Sequence, residues 1–532
     1  MAGSTFSAES LKGRRVFALL EMDLASAGLV RMSTEPLSID GTGGGDFMGG
    51  LDGVDFSDEI DLFGISETNR SLSISAVLPV NVAELVSKGF DLTTTKAEVS
   101  LWVEGTEYAD RRILISDAVL IDPEYGEPTE PLSFSLRSNF FDETATIPEP
   151  SAVVTAETWP DSPQNARGRS YPWIFGMPGK KDASSYDTWG SEAIRVDTTG
   201  TDKFLIAGHE ITDGTTVEIA AKSNIGGGTS GLVPVHMNDG LGRRVAVVSV
   251  NASTLSSEDP DDEEYFIMWD SGGGRPNRRN TGPMRGAGDV LDFFLRYAPS
   301  IKIDAGRMAA AKSALNTIAI DCTIDEPIEV WRWLRNNLLK YLPASMASSG
   351  AGMFPVVWDR ALTADQAVAN IDADRDEWER TSSVELEFLD REARNDFKMT
   401  YAKNIYTGTI QNVATIDGGS KIGSTSYARA SFKRYGRKQK IDESIVFYKA
   451  EAAFQVLAWW SRIYGFPVRK VEYTAPIDFG WLMAGSVIVF TDARIHVQDQ
   501  IAIVQSIEWA EDRIVGIRLV WLEDLPRDSR AI

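Results

Sequence analysis

Pro163-Gln-Asn-Ala-Arg-Gly-Arg-Ser-Tyr-Pro-Trp-Ile-Phe-Gly-Met-Pro178 is punctuated by Pro and Gly and leads into short apolar runs broken by tight turns as far as Val250. A chain that turns this often builds strands rather than long helices. Trp173, Ile174 and Phe175 are expected as core and turn residues, because buried aromatics are the ordinary case. Gly176-Met-Pro-Gly-Lys180 lacks the glycine that a phosphate-binding loop needs five positions before Gly179, where Ile174 stands. His209 and Glu210 are neighbours, and alternation along a strand sends them to opposite faces. Asp239-Gly-Leu-Gly242 between apolar runs has hairpin-turn chemistry.

Working outward, residues 1–155 alternate with period two in Leu72-Ser-Ile-Ser-Ala76, Val99-Ser-Leu-Trp-Val103 and Leu132-Ser-Phe-Ser-Leu136, as expected when one sheet face is buried. Several such segments predict a barrel or sandwich, with one short helix over 82–88 stopped by Gly89. Asp40–Gly53 is rich in Gly and Asp but not repeated, so it is expected as a surface loop rather than a calcium site. The acidic, Pro-containing stretch Asp142–Pro163 is expected as a linker. Glu258–Glu264 reads as a solvated acidic loop.

After the strand-like Tyr265–Trp269 comes the strongest basic feature of the chain, a Gly-rich loop over Ser271–Gly288 holding Arg275, Arg278, Arg279 and Arg285. It is expected either as a loop neutralised by neighbouring carboxylates or as a partner-contact loop. Helical periodicity follows over Gly288–Leu342. It comprises Val290, Leu291, Phe294 and Leu295, then an Ala-rich stretch over 305–315, then Val330, Trp331, Leu334 and Leu338 behind Asp325 and Pro327, with a strand over 317–324 between. The carboxylates of 365–380 form no defined acid and base pair. Strand alternation returns from Val384 to Asn404. A last helix is predicted over Asp442–Tyr464, ended by Gly465 and Pro467, before strands at 468–473, 486–491, 501–509 and 514–521.

Composition narrows the function classes. With 77 acidic against 53 basic residues the net charge is -24, which argues against stable nucleic-acid binding. One cysteine, Cys322, excludes an internal disulfide, and His209, His236 and His496 lie too far apart for a local metal motif. No run has the ~18 apolar residues of a membrane-spanning helix, and the N-terminus shows no export signal. At 532 residues, about three or four domains are expected.

Tyr171-Pro-Trp-Ile-Phe-Gly176, Phe204-Leu-Ile-Ala-Gly-His-Glu-Ile211, Val233-Pro-Val235 and Asp239-Gly-Leu-Gly242 together resemble the central tail hub proteins of long-tailed bacteriophages, the lambda J-like class. So do the helix starts at Asp289-Val-Leu291 and at Pro327 to Trp331. Gly485-Ser-Val-Ile488 is similar to a strand start of that family, with serine in place of its aspartate. The resemblance covers about Asp161–Glu523, and its weight lies in the order of the motifs.

It implies an α+β, mainly β, multidomain fold. The parts are an N-terminal β-rich hub domain (1–155), a central one (156–285), a small α/β domain (286–383) and a C-terminal β-rich domain with one long helix (384–532). It further implies a homotrimer at the distal end of the tail in the virion, assembled in the host cytoplasm. Two similar barrels per chain would fit a sixfold tube to a threefold tip. The implied neighbours are a distal tail protein ring, a tape measure protein and tail-tip or fibre proteins, with DNA present only in transit. No catalysis, cofactor or metal is expected. Two other readings stand beside it: a carbohydrate-binding receptor protein using some of the 14 Trp and 14 Tyr, and a cell-wall hydrolase.

Overall fold

A computed structural model describes residues 11, 13–24, 28–60, 69–127, 130–138, 145–180, 188–256, 258–276, 282–297, 302–359, 362–509 and 514–521. The chain is mainly β and built in several units.

The N-terminal strands are β1 (Val16–Asp23), β2 (Leu29–Ser33), β3 (Leu37–Ile39), β4 (Gly45–Gly49), β5 (Leu51–Glu59), β6 (Asn69–Ala76), β7 (Lys96–Val103), β8 (Arg112–Glu124) and β9 (Leu132–Ser138). Helix α1 (Val82–Ser87) lies between β6 and β7, capped by the Asn81 side chain accepting from the Glu84 N–H. Hydrogen-bonded neighbours run β5-β6-β9-β8-β7-β1-β2-β4. In a flat sheet β5 and β4 would lie about 34 Å apart. Only Gly50 separates them in the chain, so the sheet must curl until these two strands meet at that residue. Gly50 is the corner: its φ is +125°, and a Cβ there would stand 3.0 Å from both the Met32 Cε and the Val77 carbonyl. Inside lie Leu20, Met22, Val99, Leu101, Ile74 and Phe134, one residue in two along each strand.

A second barrel comprises β10 (Ser191–Asp197), β11 (Lys203–Ala207), β12 (Thr216–Ala221), β13 (Thr229–Leu232), β14 (Val235–Asn238), β15 (Arg244–Ser249) and β16 (Tyr265–Ser271), in the order β13-β12-β16-β10-β11-β15-β14. Its end strands are joined by Val233-Pro234 alone, although six inter-strand spacings, about 29 Å, would part them in a flat sheet. Thr229–Asn238 therefore acts as one strand bent at Pro234, pairing with β12 before the bend and β15 after it. Alternation sorts the side chains. Phe204, Ile206, Val217, Ile219, Ile267 and Trp269 fill the inside, while Leu205, Val245 and Val247 on one outer side meet Trp159 and Tyr171.

The helical unit holds α2 (Ala287–Tyr297), α3 (Ala305–Leu315) and α4 (Val330–Trp333). It shares a core with strands β17 (Asp396–Asn404), β18 (Thr409–Asp417) and β19 (Gln439–Glu443) and with helices α5 (Ser426–Tyr435) and α6 (Ala450–Tyr464). Phe294 stacks on Trp333 at 4.7 Å. The last strands are β20 (Val468–Pro476), β21 (Val487–Asp492), β22 (Val497–Trp509) and β23 (Ile514–Trp521). The β22 strand pairs with β23 and β21, and its end pairs with β5 of the first barrel, Trp509 opposite Phe56 and Ile507 opposite Asp58. The first and last parts of the sequence, together with the short strands Ala369–Asp372, Glu379–Arg380 and Glu385–Glu387, thus form one sixteen-stranded sheet over a shared core.

Several local expectations are corrected. Asp142–Pro163 is no simple linker: Thr146–Ile147 pairs with Ile328–Glu329, and Ile147, Val154 and Trp159 are buried. The stretch Asp40–Gly53 is a loop only as far as Gly44, and its Phe47 is buried in β4. Helix α4 starts at Val330 behind Glu329, not behind Asp325, because Ile328 and Glu329 are held in a strand pair. It continues as a π turn over Leu334–Leu338 and a 3-10 turn over Leu339–Tyr341. Helix α6 starts at Ala450 rather than Asp442. The preceding backbone is already engaged: the Ser444 N–H donates to the Thr400 carbonyl, while Val446 and Phe447 carbonyls accept from Asp321 and Ala402. Helix α5, capped by Thr425, was not expected. It buries only Ala428, Ala430 and Ser431, so it carries no apolar stripe.

Candidate assembly interface

The passage Tyr171–Gly176 bridges two cores. Trp173–Phe175 pairs with Cys322–Ile324, and alternation sends Ile174 into the second barrel and Phe175 against Phe294 of α2 at 5.2 Å. The Ile174 N–H donates to the His209 Nε2 at 2.9 Å, and the His209 Nδ1–H donates to the Glu210 carbonyl at 2.6 Å. Burial holds the His209 pKa down to about 4, so the ring is the neutral tautomer able to accept that amide. His236 acts alike, its Nε2 accepting from the Ile211 N–H at 3.0 Å, and burial lowers its pKa too. These histidines hold backbone in place. His209 and Glu210 form no catalytic pair, since the Glu210 carboxylate is turned to Arg244 at 2.5 Å and Arg275 at 3.5 Å.

The four arginines of the basic loop are therefore not equivalent. Arg275 at one end is tied to Glu210, with its N–H also on the Glu210 carbonyl. At the other end Arg285 makes two parallel 2.8 Å bonds to Asp321, whose side chain is 1% exposed and also accepts from the Met177 N–H at 2.7 Å. That carboxylate is compensated only while Arg285 stays in place. Arg278 and Arg279 lie outside the described residues.

The other chemistry-bearing stretches are used locally. The Asp372 carboxylate accepts from the Asp374 and Arg375 amides, and Asp376 accepts from the Asp372 amide and pairs with Arg375, which together fix a turn. Among the described residues no three His, Cys, Asp or Glu side chains are placed to hold a metal ion. Cys322 is buried, which raises its pKa and keeps it a thiol. No described helix is long and apolar enough to cross a membrane. All 14 tryptophans are described and none is exposed; eleven are buried, and Trp173, Trp481 and Trp509 are half-buried.

The surface has one feature that sequence reading passed over. On the outer face of β6 and β9 the pairing sets Ser73 opposite Ser135 and Ser75 opposite Ser133. The signal was present in the two alternating stretches, but only the strand pairing makes a single face of them.

No protein-family model and no curated protein matches the chain. Among solved structures, the chain is similar to a 43 kDa tail protein of prophage MuSo2 from Shewanella oneidensis, with 10% identity, 96% of this chain and 100% of that one covered, and a TM-score of 0.32. It is similar to the prophage tail protein gp18 from Listeria monocytogenes, with 9% identity, 97% and 96% covered, and a TM-score of 0.33. A chain from the virion of a native gene transfer agent particle shows 11% identity, 67% and 85% covered, and a TM-score of 0.40.

Proposed function

We propose that the chain is a structural protein of a phage tail, the hub at the distal end, acting as a homotrimer without catalysis. The observation that supports this reading is the pair of strongly curved sheets in each chain, one whose strands β4 and β5 are joined by Gly50 alone and one whose end strands are joined by Val233-Pro234. Three copies present six barrels around a threefold axis, the arrangement needed to seat a threefold tip on a sixfold tube. The division into units at 1–155, 156–285, 286–383 and 384–532 belongs to the same reading, with the first and last units joined through β5 and β22. Its neighbours are a distal tail ring, a tape measure protein and tip or fibre proteins, and DNA passes through without being held. The net charge of -24 fits that passage, because a basic lining would bind phosphates at every step. Imaging of the particle and native mass measurement test it together. Three copies at the distal tail are expected, and a stable hexamer, or a position elsewhere, overturns it.

A further inference from the structure

The sheet of β17, β18 and β19 carries a knob at one end and a hole at the other. The knob is the turn over residues 418–425 that links β18 to α5. At its tip Ile422 is 88% exposed, more than any other large apolar residue among those described. The turn has a defined shape: the Ser420 hydroxyl donates to the Ile422 carbonyl at 2.8 Å, the Gly419 N–H donates to the Asp417 carboxylate at 2.8 Å, and Gly423 stands at φ +69°. Lys421 beside the tip is exposed and in no ion pair among the described residues. The hole is a cleft of about 260 Å³ between α4 and the far end of β17. Half-buried Ile328, Ile405 and Ile445 line it, with Ile324, Trp333 and Tyr448 buried behind them. Its hydroxyls are already engaged, Thr323 donating to the Gly190 carbonyl and Tyr448 to the Lys403 carbonyl. Other polar groups there are not. Asp325, Glu326 and Lys403 are exposed and in no ion pair, and the Asn337 carboxamide, in the π turn, has no hydrogen-bond partner among the described residues. Two carboxylates against one ammonium leave the cleft negative.

Knob and hole do not meet within one chain. Pairing sets Asp417 opposite Asp396 and Ile410 opposite Lys403, so the turn and the cleft lie at opposite ends of the ladder, about 24 Å apart. Ile422 follows Asp417 by five residues, at most about 18 Å of chain. We propose that Ile422 of one copy fills the cleft of the next copy, with Lys421 against Asp325 and Glu326. The cleft is smaller than the ~300–1,000 Å³ of small-molecule sites and suits one aliphatic side chain with its peptide group. A carboxamide accepts an N–H and donates to a carbonyl, so Asn337 serves the backbone beside Ile422. The positive charge next to the knob answers the negative cleft, which sets partner choice and register. Because knob and hole are different surfaces the contact is heterologous, and repeating it around a threefold axis closes a ring. The proposal rests on the trimer reading above and says which surfaces make it.

The test uses the full chain. Ile422→Asp should weaken the trimer at least tenfold by sedimentation or native mass measurement, and Ile422→Leu should leave it within about twofold. Because Ile422 is exposed, both variants should keep the wild-type midpoint in urea, which separates a lost contact from a lost fold. Asp325→Lys with Glu326→Lys should also weaken the trimer, and adding Lys421→Glu should restore part of it. Disulfide capture gives a second measurement, which is clean because the one native cysteine, Cys322, is buried. Glu326→Cys and Lys421→Cys chains with different tags are co-expressed and mildly oxidised, with Ser383→Cys in place of Lys421→Cys as the surface control. The expected result is a disulfide between differently tagged chains, at least tenfold above control. A trimer that is indifferent to Ile422→Asp, or that gives no disulfide above control, overturns this proposal alone. So does a disulfide forming within one chain that carries both cysteines. A wild-type chain that is monomeric at all concentrations overturns the trimer reading with it.

Discussion

At the residue scale, His209 shows how a titratable group can be structural. Its unfolded-state pKa is near 6.5 and its folded one about 4, so between these values the unfolded chain takes up a proton that the folded chain refuses. The stability is present above pH 6.5, falls as the pH drops through that window by about 3 kcal/mol, and levels off below pH 4. His236 adds to the same slope. Denaturant titrations at several pH values should show it, and His209→Gln, which keeps an acceptor for the Ile174 amide, should flatten it. Arg285 is a second such case. Arg285→Ala leaves Asp321 buried and uncompensated and should cost about 3–5 kcal/mol. Equal stability of that variant and the wild type in urea would remove the structural role assigned to this end of the basic loop.

At the element scale, each barrel depends on one corner. Gly50→Val would force a β-branched residue to φ +125° with its Cβ 3.0 Å from Met32 and from the Val77 carbonyl. Strain and contact together should cost about 2–4 kcal/mol, and hydrogen exchange should speed at the Val77 N–H, which donates to the Gly50 carbonyl at 2.7 Å. Gly28→Ala, at φ +80° with nothing within 4 Å, should cost about 1–2 kcal/mol and leave that amide protected. Helix α6 shows why element limits are hard to read. The spacing of Ile445, Tyr448 and Ala452 is helical, yet β19 and the link after it give their hydrogen bonds to β17 and to Asp321. Periodicity records which side chains are buried, not which backbone groups compete for the same partners.

At the scale of the whole molecule, the pairing of β5 with β22 makes the first and last parts of the sequence one body. Amides of residues 69–138 and 468–521 should therefore lose protection in one cooperative step on denaturation. Two separate steps would show that their common core is not cooperative. The charge of -24 gives a second prediction at this scale: the purified protein should not retard duplex DNA at physiological salt. Tight binding there would leave the acidic surface with no role in passage.

The sequence by itself determined what depends on local pattern. Alternation in Leu72–Ala76 and Leu132–Leu136 gave buried and outward faces, the Asp239-Gly-Leu-Gly242 turn gave a hairpin, and the stripe from Val330 to Leu342 gave a buried helical face. Tertiary structure decided what depends on partners distant in the chain. Those choices are the meeting of β4 and β5 at Gly50, the burial of Ile147 and Trp159 in an apparent linker, and the tying of Arg275 to Glu210 and of Arg285 to Asp321. The serine face of β6 and β9 belongs to the second group as well. A period of two states only that Ser73 and Ser135 point away from the core, and it takes the pairing of β6 with β9 to bring them onto one face, because the inter-strand hydrogen bonds that set register join residues sixty positions apart.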